Sequence, residues 1–206
     1  MKKLVLIGAG GHAKSVVDSI NVFDYKLCGF IDENKKGTHI GLPIFGVKIE
    51  DIPNYEEYSY FISIGDVGYR KLWFDKIMEQ GLNIVNIIDS SAIISSSVKM
   101  GVGNFVGKMA VINADAEIGN NNVINTKALI EHECKIGNHN HLSTNSVING
   151  NVIIEDNVFM GSSSVCNGQL KIKHDAIIGS GSVIIKDVPS KVTMVGIPAR
   201  VIKRRD

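Results

Sequence analysis

From Ile94 to Ile184 an apolar residue stands at every sixth position without interruption: Ile94, Met100, Val106, Ile112, Ile118, Ile124, Ile130, Ile136, Leu142, Ile148, Ile154, Met160, Cys166, Ile172, Ile178 and Ile184. Two residues before each sits a mostly small side chain, such as Ala110, Ala116, Asn122 or Ser146. One residue after, Gly or Asn recurs as a turn-tolerant position, for example at Gly101, Gly119, Asn125 and Gly179. A helix repeats every ~3.6 residues and a strand every ~2, so neither alone explains a strict six. A β-helix of short strands and corners does. Three hexads make a triangular coil of about 18 residues, and coils stack at the usual strand spacing of about 4.8 Å. Stacking buries a core that no single repeat could bury.

Before residue 89 the pattern is different. Strands are expected at Lys3–Ile7, Lys26–Ile31, Tyr60–Ile64 and Asn83–Ile88. Helices are expected at Ala13–Phe23, with Val16, Val17, Ile20 and Phe23 as its apolar set, and at Val67–Gln80, with Leu72, Phe74 and Ile77 inward and Gly81 as its stop. Alternation of this kind argues for a small parallel sheet covered by helices. Residues 33–59 read as loop, punctuated by Gly37, Gly41, Pro43, Gly46 and Pro53. The expected organisation is therefore an α/β domain over 1–89 and a hexapeptide-repeat solenoid with a C-terminal tail over 90–206.

Composition narrows the partners. A net charge of +1 implies no nucleic acid. No apolar run approaches the ~18 residues of a membrane span, and the run at Leu4–Ile7 is too short for a secretory leader. Cys28, Cys134 and Cys166 lack metal-ligand spacing. Cys134 and Cys166 fall on inward positions of the hexad register and read as packed thiols in a reducing cytoplasm.

Two motifs carry chemistry. Gly8-Ala9-Gly10-Gly11-His12-Ala13 follows a strand and opens a helix, in the pattern that aims helix N-terminal amides at a pyrophosphate. Asp32 ends the second strand, where a carboxylate can reach a ribose hydroxyl. Ser63-Ile64-Gly65-Asp66 ends the third strand and is followed by Arg70, which either pairs with a phosphate or is a solvated helix residue. NAD would suit the turn, but a dehydrogenase needs a second domain that a β-helix is an unusual way to supply; a nucleotide-activated sugar uses the same turn.

The second motif is Ile130-Glu131-His132-Glu133-Cys134 with His139-Asn140-His141. Zinc is the first alternative for so many histidines. Register argues against it in one chain: His132 and His141 are half a coil apart and lie on opposite sides of the prism. They share a site only where two chains meet. His132 falls at a surface corner, and the adjoining Glu133 can hold its ring and raise its basicity, as a general base requires.

The glycine turn, Phe30-Ile31-Asp32, Ile64-Gly65 with Arg70, and the Ile130–Gly137 run with His141 together resemble the PglD/NeuD-type sugar acyltransferases. The resemblance spans nearly the whole chain. It implies a Rossmann-like nucleotide-sugar-binding domain, a left-handed parallel β-helix and a homotrimer with acetyl-CoA between neighbouring β-helices. It implies that His132 is the general base and that Glu133 increases its basicity. His141, Gly150, Ser162, Gly179 and Ser180 would contact acetyl-CoA. Gly10, Gly11, His12, Asp32, Glu33 and Gly65 would hold the nucleotide sugar.

The expected activity is acetyl-CoA-dependent N-acetylation of a nucleotide-linked 4-amino sugar of the UDP-4-amino-4,6-dideoxy type. It requires no metal and places the enzyme in the cytoplasm. Two alternatives stand beside it: O-acetylation of a sugar such as sialic acid, and a non-catalytic, nucleotide-binding trimeric scaffold.

Overall fold

A computed structural model describes residues 1–205. The chain forms two compact units, Met1–Ser90 and Ser91–Asp206.

The first unit is built on a six-stranded sheet. Its elements are β1 (Lys2–Ile7), α1 (Gly11–Asp18), β2 (Tyr25–Ile31), β3 (Thr38–His39), β4 (Leu42–Gly46), β5 (Ser59–Ile62), α2 (Val67–Glu79) and β6 (Asn83–Ile84). The strand order is β3-β4-β2-β1-β5-β6. All pairs are parallel except the β3/β4 hairpin. The continuous apolar run of β1 is what a strand buried on both faces requires: Leu4, Val5 and Leu6 have no exposed surface. Trp73, Phe74 and Ile77 of α2 pack on Val5, Ile7, Ile31 and Ile62.

Several expectations change in detail. Helix α1 stops at Asp18 rather than Phe23. Asn21 explains the early stop: its side chain accepts from the Phe23 amide and donates to Asp24, a local turn that competes with helix. Phe23 is therefore 87% exposed instead of buried. In α2, Leu72 faces solvent, and the buried set is Arg70, Trp73, Phe74 and Ile77. Residues 33–59 hold β3, β4 and two short 3-10 turns, since Pro43 sits on a short edge hairpin that tolerates it. The expected strand Asn83–Ile88 divides into β6 and a separate Ile87–Ile88 strand.

The second unit is a parallel β-helix. Each coil contributes one two-residue strand to each of three faces. The first face contains Ile93–Ile94, Val111–Ile112, Leu129–Ile130, Val147–Ile148, Val165–Cys166 and Val183–Ile184. The second runs from Lys99–Met100 to Lys171–Ile172, and the third from Phe105–Val106 to Ile177–Ile178. Pairing is in strict 18-residue register, as in Val111 to Leu129 to Val147. On the third face the hairpin Val192–Gly196/Ala199–Arg204 closes the stack. The hexad residues point inward: every one from Val106 to Ile184 belongs to a single core.

The corners differ from the sequence reading. Positive φ falls three residues before each inward residue, not one after it. Met109, Asp115, Asn121, Lys127, Glu133, His139, Asn145 and Asn151 all take φ between 56° and 60°. Where the residue after the inward position is glycine, the next coil lies close against it. A Cβ on Gly119 would lie 2.6 Å from the Gly137 carbonyl oxygen.

Polar ladders tie the edge between the second and third faces. Asn104, Asn122 and Asn140 are wholly buried. The side-chain oxygen of Asn122 accepts from the Asn140 amide at 2.8 Å, and its amide group donates to the Gly137 carbonyl at 2.9 Å. Asn122→Ala leaves both buried groups without these partners. At roughly 1–3 kcal/mol each, the expected loss is about 2–6 kcal/mol, read from the urea midpoint at unchanged m.

Candidate functional site

Two candidate sites emerge, one in each unit. In the first unit the carboxyl ends of β1, β2 and β5 meet at a cleft of about 500 Å³. The chain runs from β1 through α1 to β2 on one side, while β5 lies on the other. This is the crevice where open parallel sheets bind ligands. Gly10, Gly11, His12, Asp32, Glu33 and Gly65 all line it.

The glycine turn is shaped by two distinct demands. Gly8 has φ of 98°, and a Cβ there would lie 2.7 Å from Ile64. Gly10 and Gly11 do not have positive φ, and a Cβ on either would meet nothing within 4 Å. Their small size keeps the turn backbone open, leaving the α1 amides reachable. Gly10 caps α1 without any side-chain bond, and no acidic residue occupies the first turn of the helix.

Asp32 fastens the turn to the end of β2. One of its oxygens accepts from the Ala9 amide at 2.7 Å, and the other from the Asn34 and Lys35 amides, both at 2.9 Å. Burial works against its charge, but these amides outweigh burial and hold its carboxyl below the usual range. The Lys35 ammonium donates to the Ala9 carbonyl at 2.6 Å. Arg70 is neither solvated nor a lining residue of the cleft. It is 1% exposed, and its guanidinium donates to the carbonyls of Ile64 and Gly65, which fixes the β5–α2 segment.

Burial, with the Arg70 charge nearby, lowers the His12 pKa to about 4, so the ring is neutral at pH 7. The unfolded imidazole titrates near ~6.5, so between these values the unfolded chain binds more protons. The stability tied to neutral His12 is complete above about pH 6.5 and is lost as pH falls toward 4. His12→Gln is expected to flatten that part of the stability–pH curve, measured as urea midpoints across this range.

Tyr69 and Trp73 also line the cleft, and the reading of the sequence missed them. They stand one helical turn apart on the helix that follows the third strand, and that spacing is the signal available in the sequence. Beside them, Glu33, Val47, Leu72 and Lys76 extend a side pocket of about 180 Å³, with the Lys76 ammonium 5.0 Å from the Trp73 ring centre.

The second candidate site lies on the edge between the first and second faces of the β-helix. His132 and Glu133 occupy a corner, and Glu133 has φ of 58°. That left-handed residue turns the carboxylate back toward its neighbour, so that His132 Nδ1 lies 3.1 Å from Glu133 Oε2. Both side chains are more than half exposed. The same corner geometry recurs at His174-Asp175, where the distance is 2.8 Å. The pair alone therefore does not mark a site.

The next coil distinguishes His132. Directly beneath it is Gly150, where a Cβ would stand 2.6 Å from His132 Nε2 and 2.7 Å from Cε1. The position after that in the stack is again glycine, Gly168, whose Cβ would approach the Gly150 carbonyl to 3.0 Å. Beneath His174 the closing hairpin pairs two residues short of the regular register, and the equivalent residue is Ser190. Of the two rings, that of His132 alone is seated against a glycine.

The remaining expected residues lie elsewhere. Ser162, Gly179 and Ser180 share the edge between the third and first faces. His141 projects from the third face, with its ring 5.2 Å from that of Phe159. His139 is a buried corner residue bonded to Asn121. Within one chain, then, His132, Glu133 and Gly150 come together, whereas Ser162, Gly179 and Ser180 lie across the first face from them. Among the described residues no group of three or more His, Cys, Asp or Glu is placed to hold a metal. No helix among them is long and apolar enough to cross a membrane.

Residues 3–77 match the PglD N-terminal domain family. The structure of PerB from Caulobacter crescentus with CoA and GDP-perosamine is 32% identical. It superposes with a TM-score of 0.92, covering 98% of this chain and 97% of that one. A point variant of the perosamine N-acetyltransferase of that organism, also with CoA and GDP-perosamine, is 30% identical with a TM-score of 0.93, covering 98% and 97%. The acetyltransferase domain of PglB from Neisseria gonorrhoeae with acetyl coenzyme A is 26% identical with a TM-score of 0.92, covering 98% and 99%. A curated protein of Acanthamoeba polyphaga mimivirus is 39% identical over 102 residues, which is 48% of this chain and only 20% of that protein's length.

Proposed function

The chain belongs to the PglD-type sugar acetyltransferases of the hexapeptide-repeat superfamily, and on that footing we propose that it transfers acetyl from acetyl-CoA to the amine of a nucleotide-linked 4-amino sugar. The enzyme class is acetyl-CoA-dependent sugar acetyltransferase. The observation that carries the mechanism is the seat of the His132 ring against Gly150, which the lack of a side chain there permits, with Glu133 on the other ring nitrogen.

The chemistry follows from the two nitrogens. A proton on Nδ1 is held by the Glu133 carboxylate, which leaves the Nε2 lone pair free to accept. The sugar amine attacks the thioester carbon and a C–N bond forms. Its proton passes to His132 Nε2, a step worth ~10²–10⁴-fold. The carbonyl oxygen becomes an oxyanion, and in this reading the Gly150 amide stabilises it. The C–S bond then breaks and coenzyme A departs as its thiolate. In this reading the α1 amides of the first unit take the diphosphate of the substrate, with Asp32 bracing the turn.

The division of the expected acetyl-CoA contacts between two edges favours a site completed by a second copy of the chain, as in a homotrimer. The first face between those edges presents Ile93, Val111, Leu129, Val147, Val165 and Val183 outward, an apolar ladder suited to burial. Acetyl-CoA and nucleotide sugars are cytoplasmic metabolites, and the proposal places the reaction there.

The test is thiol release from acetyl-CoA with GDP-, UDP- and dTDP-linked 4-amino sugars and free sialic acid. Turnover on one nucleotide amino sugar is expected, and it identifies the base. Turnover on sialic acid alone would replace this reading with O-acetylation. Silence with every acceptor would favour a binding scaffold.

A further inference from the structure

We propose that Cys134 is a positioning residue for this reaction: its thiol holds the Asn149–Gly150 peptide so that the Gly150 amide faces the reacting carbonyl. The inference rests on the reading of His132 and Gly150 given above.

Cys134 closes the corner that carries His132. It is wholly buried, and its Sγ donates to the Asn149 carbonyl at 3.2 Å. The Asn149–Gly150 bond is trans, since Ile197–Pro198 is the one cis bond among the described residues. In a planar trans peptide the C=O and N–H point in opposite directions. With the Asn149 oxygen turned inward to sulfur, the Gly150 N–H points out of the coil, at the residue whose Cβ would touch His132 Nε2.

On the edge between the second and third faces, the amides at the corresponding hexad position are occupied by side chains. Asn120 takes that of Val102, Asn138 that of Asn120, Asp156 that of Asn138, and Glu155 that of His174. Among the described residues no such acceptor lies on the Gly150 amide.

Comparison along the edges isolates the role of the thiol. On the edge of His132 the inward positions are Val98, Ala116, Cys134, Val152 and Leu170, so Cys134 is the single hydrogen-bond donor in the series. On the edge between the second and third faces, Asn104 and Asn122 make the same reach, to the Gly119 and Gly137 carbonyls. Pinning the next coil's carbonyl is thus a device of this fold, and the His132 edge uses it only in the coil that carries His132. Burial pushes the Cys134 thiol up, so it keeps the proton it donates.

The experiment compares Cys134→Ala and Cys134→Ser in steady-state kinetics. Alanine already occupies the same place at Ala116, so the coil accommodates it. The expected result is a kcat about 10-fold lower for alanine, with unchanged KM for both substrates and most of kcat regained by serine. A mere packing role predicts the reverse order, with the serine hydroxyl the worse fit in an apolar core. Wild-type kcat in the alanine variant, or serine no better than alanine, would overturn the inference alone. A wild-type enzyme that releases no thiol with any acceptor would instead overturn the reading of the site.

Discussion

His132→Ala is expected to retain the β-helix and to lose ~10²–10⁴ of kcat. The side chain is more than half exposed and contributes nothing to the apolar core, so its removal leaves no cavity. The loss should appear in kcat with little change in either KM, because the ring acts on a proton that moves only as the C–N bond forms. Circular dichroism and the urea midpoint should match wild type. The His174-Asp175 pair supplies an internal control. His174→Ala removes a dyad of the same local geometry from another corner and should leave turnover unchanged. Near-wild-type kcat in the His132 variant would remove it as the base.

Gly150→Ala is expected to be nearly as damaging without touching an ionisable group. One methyl would stand 2.6 Å from His132 Nε2, well inside contact distance. The imidazole must swing away from its seat, and Nε2 leaves the position from which it would take the proton. Displacement of a reacting group by about 1 Å can cost ~10²-fold, and that is the expected fall in kcat. Because the ring is exposed and can move, stability should change little. If the alanine variant turns over normally, the seat of the His132 ring on Gly150 does not position the base.

These two residues show how far the sequence could be read. The hexads were legible because a solenoid core leaves one apolar position in six no freedom, and all of them from Val106 onward are inward. The corner conformation was not, because the left-handed position is filled by Met, Asp, Asn, Lys, Glu, His, Ser and Gln in turn. Backbone pairing between coils enforces it whatever the side chain, so composition carries no trace. Glu133 falls at such a position, which is why its proximity to His132 was legible as adjacency but not as geometry. The glycine turn and Asp32 were legible as a motif. That the Asp32 carboxylate is engaged by three amides of the turn and loop was not, since those bonds depend on a tertiary approach. Arg70 was misjudged for the same reason: nothing in its neighbours announces that it will be buried against the Ile64 and Gly65 carbonyls. Leu72 and Phe23 failed as core residues because apolar character alone does not say which side of a short helix faces the sheet, or where the helix ends.

The strict register of the β-helix has an evolutionary consequence. A side chain's angular position around the prism depends only on the remainder when its distance along the chain is divided by three hexads. Gain or loss of one full coil between two residues preserves which face each occupies and moves them apart by about 4.8 Å along the axis. A change of one hexad rotates everything downstream to the next face, so that Gly150 would no longer lie under His132. A change of any other length sends core side chains outward. Length variation in such a chain is therefore quantised: whole-coil duplications can lengthen the groove gradually, while the coils from His132 to Gly168 form a block that can be carried along but not divided.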